Sequence, residues 1–224
     1  MASTAPARRR GRPSDEALRV RRCEEILDAA ARLFANRGYA AANTQELADV
    51  LHVGKGTIYR YFPTKEELFL AAVDRMVHRL TAAIDAAVAE VEDPLDHIAA
   101  AVTTYLRFAA RQPEFAELLI QERAQFKDRK PTTYFAHRDE AAQRRHEFLR
   151  SLIQQGRVRD IDVDRLFEVL GDLVYGTMIA NYFTGRSRDP EAQAADILNI
   201  ALYGILTESE RRRRGLLPEK TVAG

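Results

Sequence analysis

The chain has 224 residues, of which 46% are hydrophobic and 30% are charged, and its formal net charge is +1. This length allows one large domain or two small ones, and the hydrophobic fraction is sufficient for a buried core. No apolar run approaches the ~18 residues that a membrane helix needs, which argues against an integral membrane protein. A single cysteine, Cys23, excludes an internal disulfide, and no signal sequence follows the arginine-rich start. We therefore expect a cytoplasmic protein without a membrane partner.

Positive charge is concentrated in the first part of the chain. Residues 1–65 contain 12 Lys and Arg against 7 Asp and Glu, whereas the remainder contains 22 against 26. Residues 1–16 begin with MASTAPARRRGRP, which is too polar and too rich in Pro, Gly and Arg to fold alone, so we predict a flexible basic arm. Such a basic region is typical of proteins that bind nucleic acid, although a solvated face also explains charge alone.

Helical periodicity starts after the arm and continues to about residue 209, and no segment has a convincing two-residue strand period. We predict an all-α protein in which an N-terminal three-helix domain precedes a larger helical bundle. The predicted helices lie, in chain order, at about residues 17–37, 44–51, 55–62, 66–91, 94–111, 113–126, 134–155, 164–183 and 190–209.

Residues 43–68, NTQELADVLHVGKGTIYRYFPTKEEL, contain two short amphipathic helices separated by a sharp turn. Thr44 is a good N-cap for the first helix. The turn at residues 52–54 leaves room for one bend, and Pro63 ends the second helix because it lacks an N–H and disfavours helical geometry at the residue before it. This spacing predicts a helix-turn-helix, a motif that reads DNA.

The same segment closely resembles the DNA-binding domain of the TetR family. The resemblance rests on GTIYRYFPTKEEL, on the Leu-Ala pair in the preceding helix and on the helix that ends near Arg37, and it covers roughly residues 17–80. It implies a DNA-binding domain over residues 17–65. The family usually has Gly in the turn where this chain has His52, which predicts slight backbone strain there.

The resemblance also implies which side chains meet DNA. Residues that match phosphate-contacting positions of the family are Thr44, Tyr59, Tyr61 and Lys65. Residues that match its groove-facing positions are Lys55, Gly56, Thr57 and Arg60. Lys or Arg donates to guanine, Gly lets the backbone come close, and the Thr methyl meets a thymine methyl. For the two tyrosines, packing within the domain is the alternative.

The arm adds a second candidate DNA contact. Its Arg-Gly-Arg-Pro sequence resembles the core of an AT-hook, which implies that Arg10 and Arg12 lie in an A·T-rich minor groove. A solubilising tail explains the same residues.

Residues 66–210 are predicted to bind an effector and to dimerise. The last two helices, which contain LFEVLGDLVYGTMIA and ADILNIALYGILTE, are apolar over more than one stripe, so one subunit alone does not cover them. Pairing with a second copy gives a four-helix bundle in which Gly171, Gly176 and Gly204 permit close approach; an intramolecular core is the alternative. TetR-like proteins dimerise through this helix pair, which favours a homodimer. Residues 211–224 are predicted to form a flexible tail.

The resemblance implies an effector pocket in this larger domain. Aromatic and polar residues that interrupt its apolar stripes are the candidate lining: Tyr105, Phe115, Glu122, Phe126, His137, Arg145, Tyr175 and Met178. Most of these, taken singly, are also explained as core. Glu122 is the hardest to explain as core, because an unpaired buried carboxylate is costly. A structural ion pair is the alternative to a ligand contact.

Residues for catalysis are scarce. The histidines lack metal-ligand spacing, and the tetrapeptide at residues 54–57 matches a phosphate-binding loop only superficially. We predict no catalytic residue, no metal site and no cofactor. The sequence predicts a homodimeric transcriptional regulator, most simply a repressor that a small apolar or amphipathic effector releases from a near-palindromic double-stranded DNA operator. The alternative is a helical small-molecule-binding or protein-interaction module with vestigial DNA binding.

Overall fold

A computed structural model describes residues 15–158 and 160–203. Helices and no strands are found across these ranges, which confirms the predicted all-α fold. The helices are α1 (Asp15–Arg37), α2 (Thr44–Val50), α3 (Lys55–Tyr61), α4 (Lys65–Ala89), α5 (Asp96–Arg111), α6 (Pro113–Gln125), α7 (Thr133–Glu140), α8 (Ala142–Gln154), α9 (Val163–Thr184) and α10 (Pro190–Tyr203). None of these helices is long and apolar enough to cross a bilayer. Arg10, Arg12, Gly204 and the predicted tail lie outside the described residues.

One predicted helix is divided in two. The pattern at about residues 134–155 predicts a continuous helix, but α7 ends at Glu140 and α8 begins at Ala142. Ala141 keeps a near-helical backbone with φ −83° and ψ −2°. No Gly or Pro occurs between residues 133 and 155. The sequence therefore carries no local breaker that would have revealed this division.

The chain forms two compact units that are interleaved along the sequence. Unit 1 contains the described residues up to His78 together with Glu117–Ala136. Unit 2 contains Arg79–Ala116 and the described residues from His137 onward. The sequence predicts a single division of the folded region, after residue 65. The units differ from that division because the second half of α6 and the loop after it pack with the N-terminal helices.

Unit 1 has a core of large apolar side chains contributed by each of α1 to α4. Fully or almost fully buried members are Ile26, Phe34, Leu47, Ile58 and Phe69. The rings of Phe34 and Phe69 meet edge to face with centroids 5.0 Å apart, and the Phe126 ring lies 5.7 Å from Phe69. Phe126, predicted to line an effector pocket, thus belongs to the aromatic core of unit 1.

Polar contacts hold α1 within unit 1. Arg75 of α4 donates two hydrogen bonds to the Asp28 carboxylate of α1, at 2.8 and 3.2 Å. Such a paired geometry is stronger than a single surface contact. At the end of α1, Gly38 adopts a left-handed backbone (φ +77°), and its N–H donates to the Phe34 carbonyl oxygen. A glycine at this position is the usual way to end a helix.

Unit 2 packs α5 against α9 and α10. The buried face of α5 carries Ile98, Val102, Tyr105 and Leu106, and the buried face of α9 carries Leu170, Val174 and Met178. Two ion pairs add contacts: Arg107 with Glu191 of α10, and Arg157 with Asp93 before α5. The opposite surface of the last two helices stays apolar and exposed, with Val169, Leu173, Phe183 and Ile200 each more than 40% exposed.

Candidate nucleic-acid interface

Helices α2 and α3 form the helix-turn-helix, and the structure corrects the residue that begins it. Asn43, not Thr44, is the N-cap of α2, and its Oδ1 accepts a hydrogen bond of 2.9 Å from the Gln45 N–H. Asn and Thr are both good capping residues, so the sequence did not distinguish them. Thr44 instead occupies the first turn, where it is only 5% exposed. Its hydroxyl oxygen lies 3.1 Å from the Tyr59 hydroxyl oxygen of α3.

The turn between the two helices has the strain expected from its sequence. His52 adopts φ +53°, a left-handed conformation that glycine adopts at less cost. Backbone hydrogen bonds from His52 N to Asp49 O (3.1 Å) and from Val53 N to Ala48 O (3.0 Å) fix the bend. Gly54 then serves as the N-cap of α3 in an ordinary extended conformation, with φ −70°.

Helix α3 is anchored by one buried side chain, and most of its other residues are exposed to solvent. Ile58 is fully buried, whereas Lys55, Gly56 and Arg60 are exposed and Thr57 is half-buried. A Cβ built on Gly56 meets no atom within 4 Å, so packing inside the chain does not require glycine there. The exposed residues include most of the predicted groove-facing set, and an apolar anchor below them fixes their orientation.

Cationic side chains lie over the two tyrosine rings of α3. The Lys55 Nζ is 5.8 Å from the centroid of the Tyr59 ring, and the Arg60 guanidinium is 5.7 Å from the centroid of the Tyr61 ring. Both distances fall within the range of cation–π attraction. Tyr59 is exposed to 37%, whereas Tyr61 is half-buried. The phenol of Tyr59 is therefore accessible as well as held.

Lys65, at the start of α4, is attached to the loop that follows α1. Its Nζ donates to the Ala40 carbonyl oxygen at 3.0 Å and lies 4.9 Å from the centroid of the Tyr39 ring. Burial, with the negative charge of Glu66 adding, raises the pKa of Tyr39. The contact with Ala40 uses one of the three N–H donors of the ammonium group. Lys65 thus presents a positive charge from a fixed position.

Known proteins match this arrangement. Residues 26–72 match the family model described as bacterial regulatory proteins, tetR family. The HTH-type transcriptional activator FasR of Mycolicibacterium smegmatis is 31% identical over 127 residues, which cover 54% of this chain and 58% of FasR. The HTH-type transcriptional repressor KstR of Mycobacterium tuberculosis is 34% identical over 106 residues, which cover 47% of this chain and 48% of KstR. The match thus spans about half of each relative.

The fold agrees over a longer stretch. The transcriptional regulator FadR of Bacillus subtilis, solved in complex with stearoyl-CoA, superposes with a TM-score of 0.68 at 18% identity, covering 82% of this chain and 99% of FadR. Residues 26–72 therefore resemble the DNA-binding domain of the TetR family. The helix-turn-helix at residues 44–61 lies within this matched segment and corresponds to the DNA-binding motif of the family model.

The predicted effector residues do not form one group in the structure. Tyr105, Phe115 and Met178 come together inside unit 2, where the Tyr105 hydroxyl donates to the Met178 sulfur at 3.6 Å. All three are buried, so in this structure they form core. His137 and Tyr175 are half-buried residues of unit 2. Their role in an effector site stays a prediction.

Arg145 lines a polar cleft in unit 2. The cleft has a volume of about 220 Å³, and its lining consists of Arg138, Asp139, Arg145, His146, Asp164, Phe167 and Glu168. Within this lining, Arg145 donates to the Arg138 carbonyl oxygen, and His146 lies 2.7 Å from the Asp164 carboxylate. These contacts connect α8 with α7 and with α9. The cleft is thus a gap between packed helices of unit 2.

Glu122 and Phe126 are in unit 1. Glu122 is fully buried, and its Oε1 accepts hydrogen bonds from the Thr133 N–H (2.9 Å), the Thr133 hydroxyl (2.7 Å) and the Arg129 Nε (3.2 Å). The contacts therefore favour the structural ion pair over the ligand contact. Arg129 lies just seven residues after Glu122, a nearby candidate partner that the sequence analysis did not consider.

Sequence reasoning also missed Gln121. This buried side chain donates from Nε2 to the Phe34 carbonyl oxygen of α1 at 2.9 Å and to the Glu117 carboxylate at 2.6 Å. A polar residue beside Glu122 on a mostly apolar helix was the available signal, because buried polar groups require partners.

Proposed function

We propose that this chain is a homodimeric, ligand-responsive DNA-binding transcriptional regulator that acts in the cytoplasm and represses its target. The observation that carries the proposal is the presentation of α3. Its apolar anchor Ile58 is fully buried, while Lys55, Gly56 and Arg60 are exposed on a TetR-family helix-turn-helix. Side chains that can donate to guanine, beside a glycine that allows close approach, suit the major groove.

The exposed apolar face of α9 and α10 supports a homodimer. Val169, Leu173, Gly176 and Phe183 follow one another at helical spacing on α9, and Ile200 is 56% exposed on α10. Exposed apolar patches of this kind mark protein interfaces. A Cβ built on Gly176 meets no atom within 4 Å, so the glycine suits a close approach by another chain. We expect pairing with a second copy to bury this face. A dimer that binds two half-sites one turn of DNA apart needs its two recognition helices about 34 Å apart.

Proteins similar to this chain support both an effector and repression. FadR of Bacillus subtilis was solved with stearoyl-CoA, which supports a small-molecule effector. KstR is named as a repressor, which supports repression. For this chain we propose an apolar or amphipathic effector in unit 2, whose buried side chains include Tyr105 and Phe115. An effector that favours one of two spacings of the recognition helices shifts DNA affinity by its differential affinity for the two states. The predicted carrier of this change is α4, whose residues belong to both units.

The first test is direct binding to duplex DNA. Purified protein is mixed with a random-sequence library, and the bound fragments are selected and sequenced. We expect a near-palindromic site with half-sites about one helical turn apart. The alternative module with vestigial DNA binding predicts no enrichment and no shift of any duplex at low salt, and that outcome would refute the proposal.

Two variants then separate phosphate contacts from base contacts. Lys65→Ala should weaken binding to the selected site and to random DNA alike and reduce the slope of log affinity against log salt by about one. Arg60→Ala should mainly relax base preference, at about 1–3 kcal/mol on the selected site. An unchanged salt slope for Lys65→Ala would remove its phosphate role.

A further inference from the structure

Thr44 and Tyr59 were predicted to contact phosphate independently, but the structure joins them. Their hydroxyl oxygens are 3.1 Å apart, which is a hydrogen bond between the first turn of α2 and the middle of α3. The two residues differ in access to a partner, because Thr44 is 5% exposed and Tyr59 is 37% exposed. A phosphate that approaches this surface meets the phenol first.

Each hydroxyl carries one hydrogen, and only one of these two hydrogens lies between the oxygens. The direction of this hydrogen bond decides what the pair can do. If Tyr59 donates to Thr44, the phenol has no hydrogen left for an outside acceptor. If Thr44 donates to Tyr59, the phenol hydrogen is available to an anion. Phosphate oxygens only accept hydrogen bonds, so a bound phosphate selects the second arrangement. Donation by Thr44 also polarises the phenol, and hydrogen bonds in such a chain strengthen one another.

The Tyr59 ring is restrained from another side. The Lys55 Nζ lies 5.8 Å from its centroid, within cation–π range. The hydroxyl contact with Thr44 fixes the far end of the same ring. Two restraints on one side chain reduce the rotamer freedom that is lost when the phenol binds.

We propose that Thr44 and Tyr59 act as one phosphate-binding unit, in which the Tyr59 hydroxyl contacts the DNA backbone and the buried Thr44 hydroxyl is a positioning residue that donates to it. This inference rests on the proposed function, because it requires that the chain bind duplex DNA. It assigns Thr44 an indirect role, so the effect of Thr44 on DNA must pass through Tyr59.

A double-mutant cycle tests the inference without knowledge of the operator. The probe is a fluorescein-labelled 40-base-pair duplex of random sequence, and its affinity for the full chain is measured by anisotropy. The variants are Thr44→Val, which replaces the hydroxyl by a methyl of similar size, Tyr59→Phe, and the two together. We expect Tyr59→Phe to weaken binding about tenfold, since a hydrogen bond to a charged group is lost. Thr44→Val alone should weaken binding about threefold.

The decisive comparison is Thr44→Val in the Tyr59→Phe background, where we expect a change of less than about 1.5-fold. An equal loss in both backgrounds would overturn the inference, because Thr44 would then act independently of the phenol. Thr44→Ser, which keeps the hydroxyl, should restore wild-type affinity. Thr44→Val should combine additively with Tyr61→Phe, the matched control on the other α3 tyrosine. If Thr44→Val fails to fold, Thr44→Ala replaces it in the same cycle.

Salt dependence and melting temperature separate this role from a merely structural one. A hydrogen bond from the Tyr59 hydroxyl releases no counterion, so the loss for either variant should be the same fold-change at all salt concentrations. A Thr44→Val protein that melts earlier but binds the duplex with wild-type affinity would also overturn the inference. If the wild-type chain binds no duplex at low salt, the proposed function itself fails, and that result is distinct from an uncoupled cycle.

Discussion

The Gln121 side chain donates a hydrogen bond to the Phe34 carbonyl oxygen, 2.9 Å away, although 87 positions separate the two residues. Phe34 belongs to the last turns of α1, where the same oxygen also accepts from the Gly38 N–H at 2.8 Å. The second half of α6 is therefore part of the unit that contains the helix-turn-helix.

This contact predicts that Gln121→Met destabilises unit 1 by about 1 kcal/mol, the net contribution of a typical intramolecular hydrogen bond. Chemical denaturation of the full chain measures the loss. Gln125→Met, at an exposed position of the same helix, is the matched control and should change the free energy of unfolding by less than about 0.5 kcal/mol. Equal effects of both substitutions would mean that the contact with Phe34 contributes nothing specific.

Glu122 should be required for stability and not for effector response. Glu122→Met leaves the buried Thr133 N–H and hydroxyl without their acceptor, and each unsatisfied donor costs about 1–3 kcal/mol. We expect a loss of about 2–4 kcal/mol in the free energy of unfolding. Glu122→Gln keeps an acceptor oxygen and should lose less. The concentration of effector that half-releases DNA, measured well below the melting temperature, should not change for Glu122→Gln; a tenfold shift would return Glu122 to the effector site.

Gly56→Ala should improve stability and impair DNA binding in the same protein. Glycine inside a helix costs about 0.5–1 kcal/mol relative to alanine, and the new methyl group meets no atom of the chain within 4 Å. The methyl group would instead meet DNA if the backbone approaches the groove closely. Thermal melting and affinity for the selected site are the two measurements. Asn36→Ala, exposed in α1, is a control that changes helix propensity away from α3. Undiminished DNA affinity in Gly56→Ala would contradict close approach.

Dimerisation should depend on the exposed face of α9. Leu173→Glu places a charge on that face, and Gly176→Leu fills the space that a second chain would occupy while one subunit alone accommodates it. Sedimentation should show monomers for both variants, and binding to a two-half-site operator should collapse because the half-sites are no longer linked. Ala110→Glu, at an exposed position of α5, should remain dimeric. Dimers in both α9 variants would place the interface elsewhere.

Unit 2 should lose the stabilising contribution of the Asp93–Arg157 ion pair in acid. Hydrogen bonds from Arg157 at 2.6 and 2.8 Å, with one from the Leu95 N–H, lower the pKa of Asp93 to about 2, from an ordinary value of 3.8. A lowered carboxyl pKa stabilises the folded state above the ordinary pKa, and this contribution is lost as the pH falls towards 2. The melting-temperature difference between wild type and Arg157→Gln should therefore shrink between pH 4 and pH 2. A difference that stays constant over this window would contradict the pair.

The sequence by itself determined the local features of this protein. Hydrophobic periodicity and the stop at Pro63 predicted the helices, because these signals act over one or two turns of chain. The pattern GTIYRYFPTKEEL was sufficient to predict the helix-turn-helix and its resemblance to TetR-family DNA-binding domains, whose family model matches residues 26–72. The backbone strain at His52 was also predicted from the sequence, because the cost of a positive φ depends on the residue type at that one position.

Only the tertiary structure decided which side chains meet. Asn43 and Thr44 are both favourable caps; in the structure Asn43 caps α2, and Thr44 packs inward and reaches Tyr59. Glu122 and Phe126 share a helical stripe with Phe115, yet they pack in a different unit, because α6 contributes to both. Helical periodicity predicts that a face is buried, but it does not identify the surface that covers this face. Contacts such as Gln121 with Phe34 join distant parts of the chain, and their partners are fixed only when the helices pack.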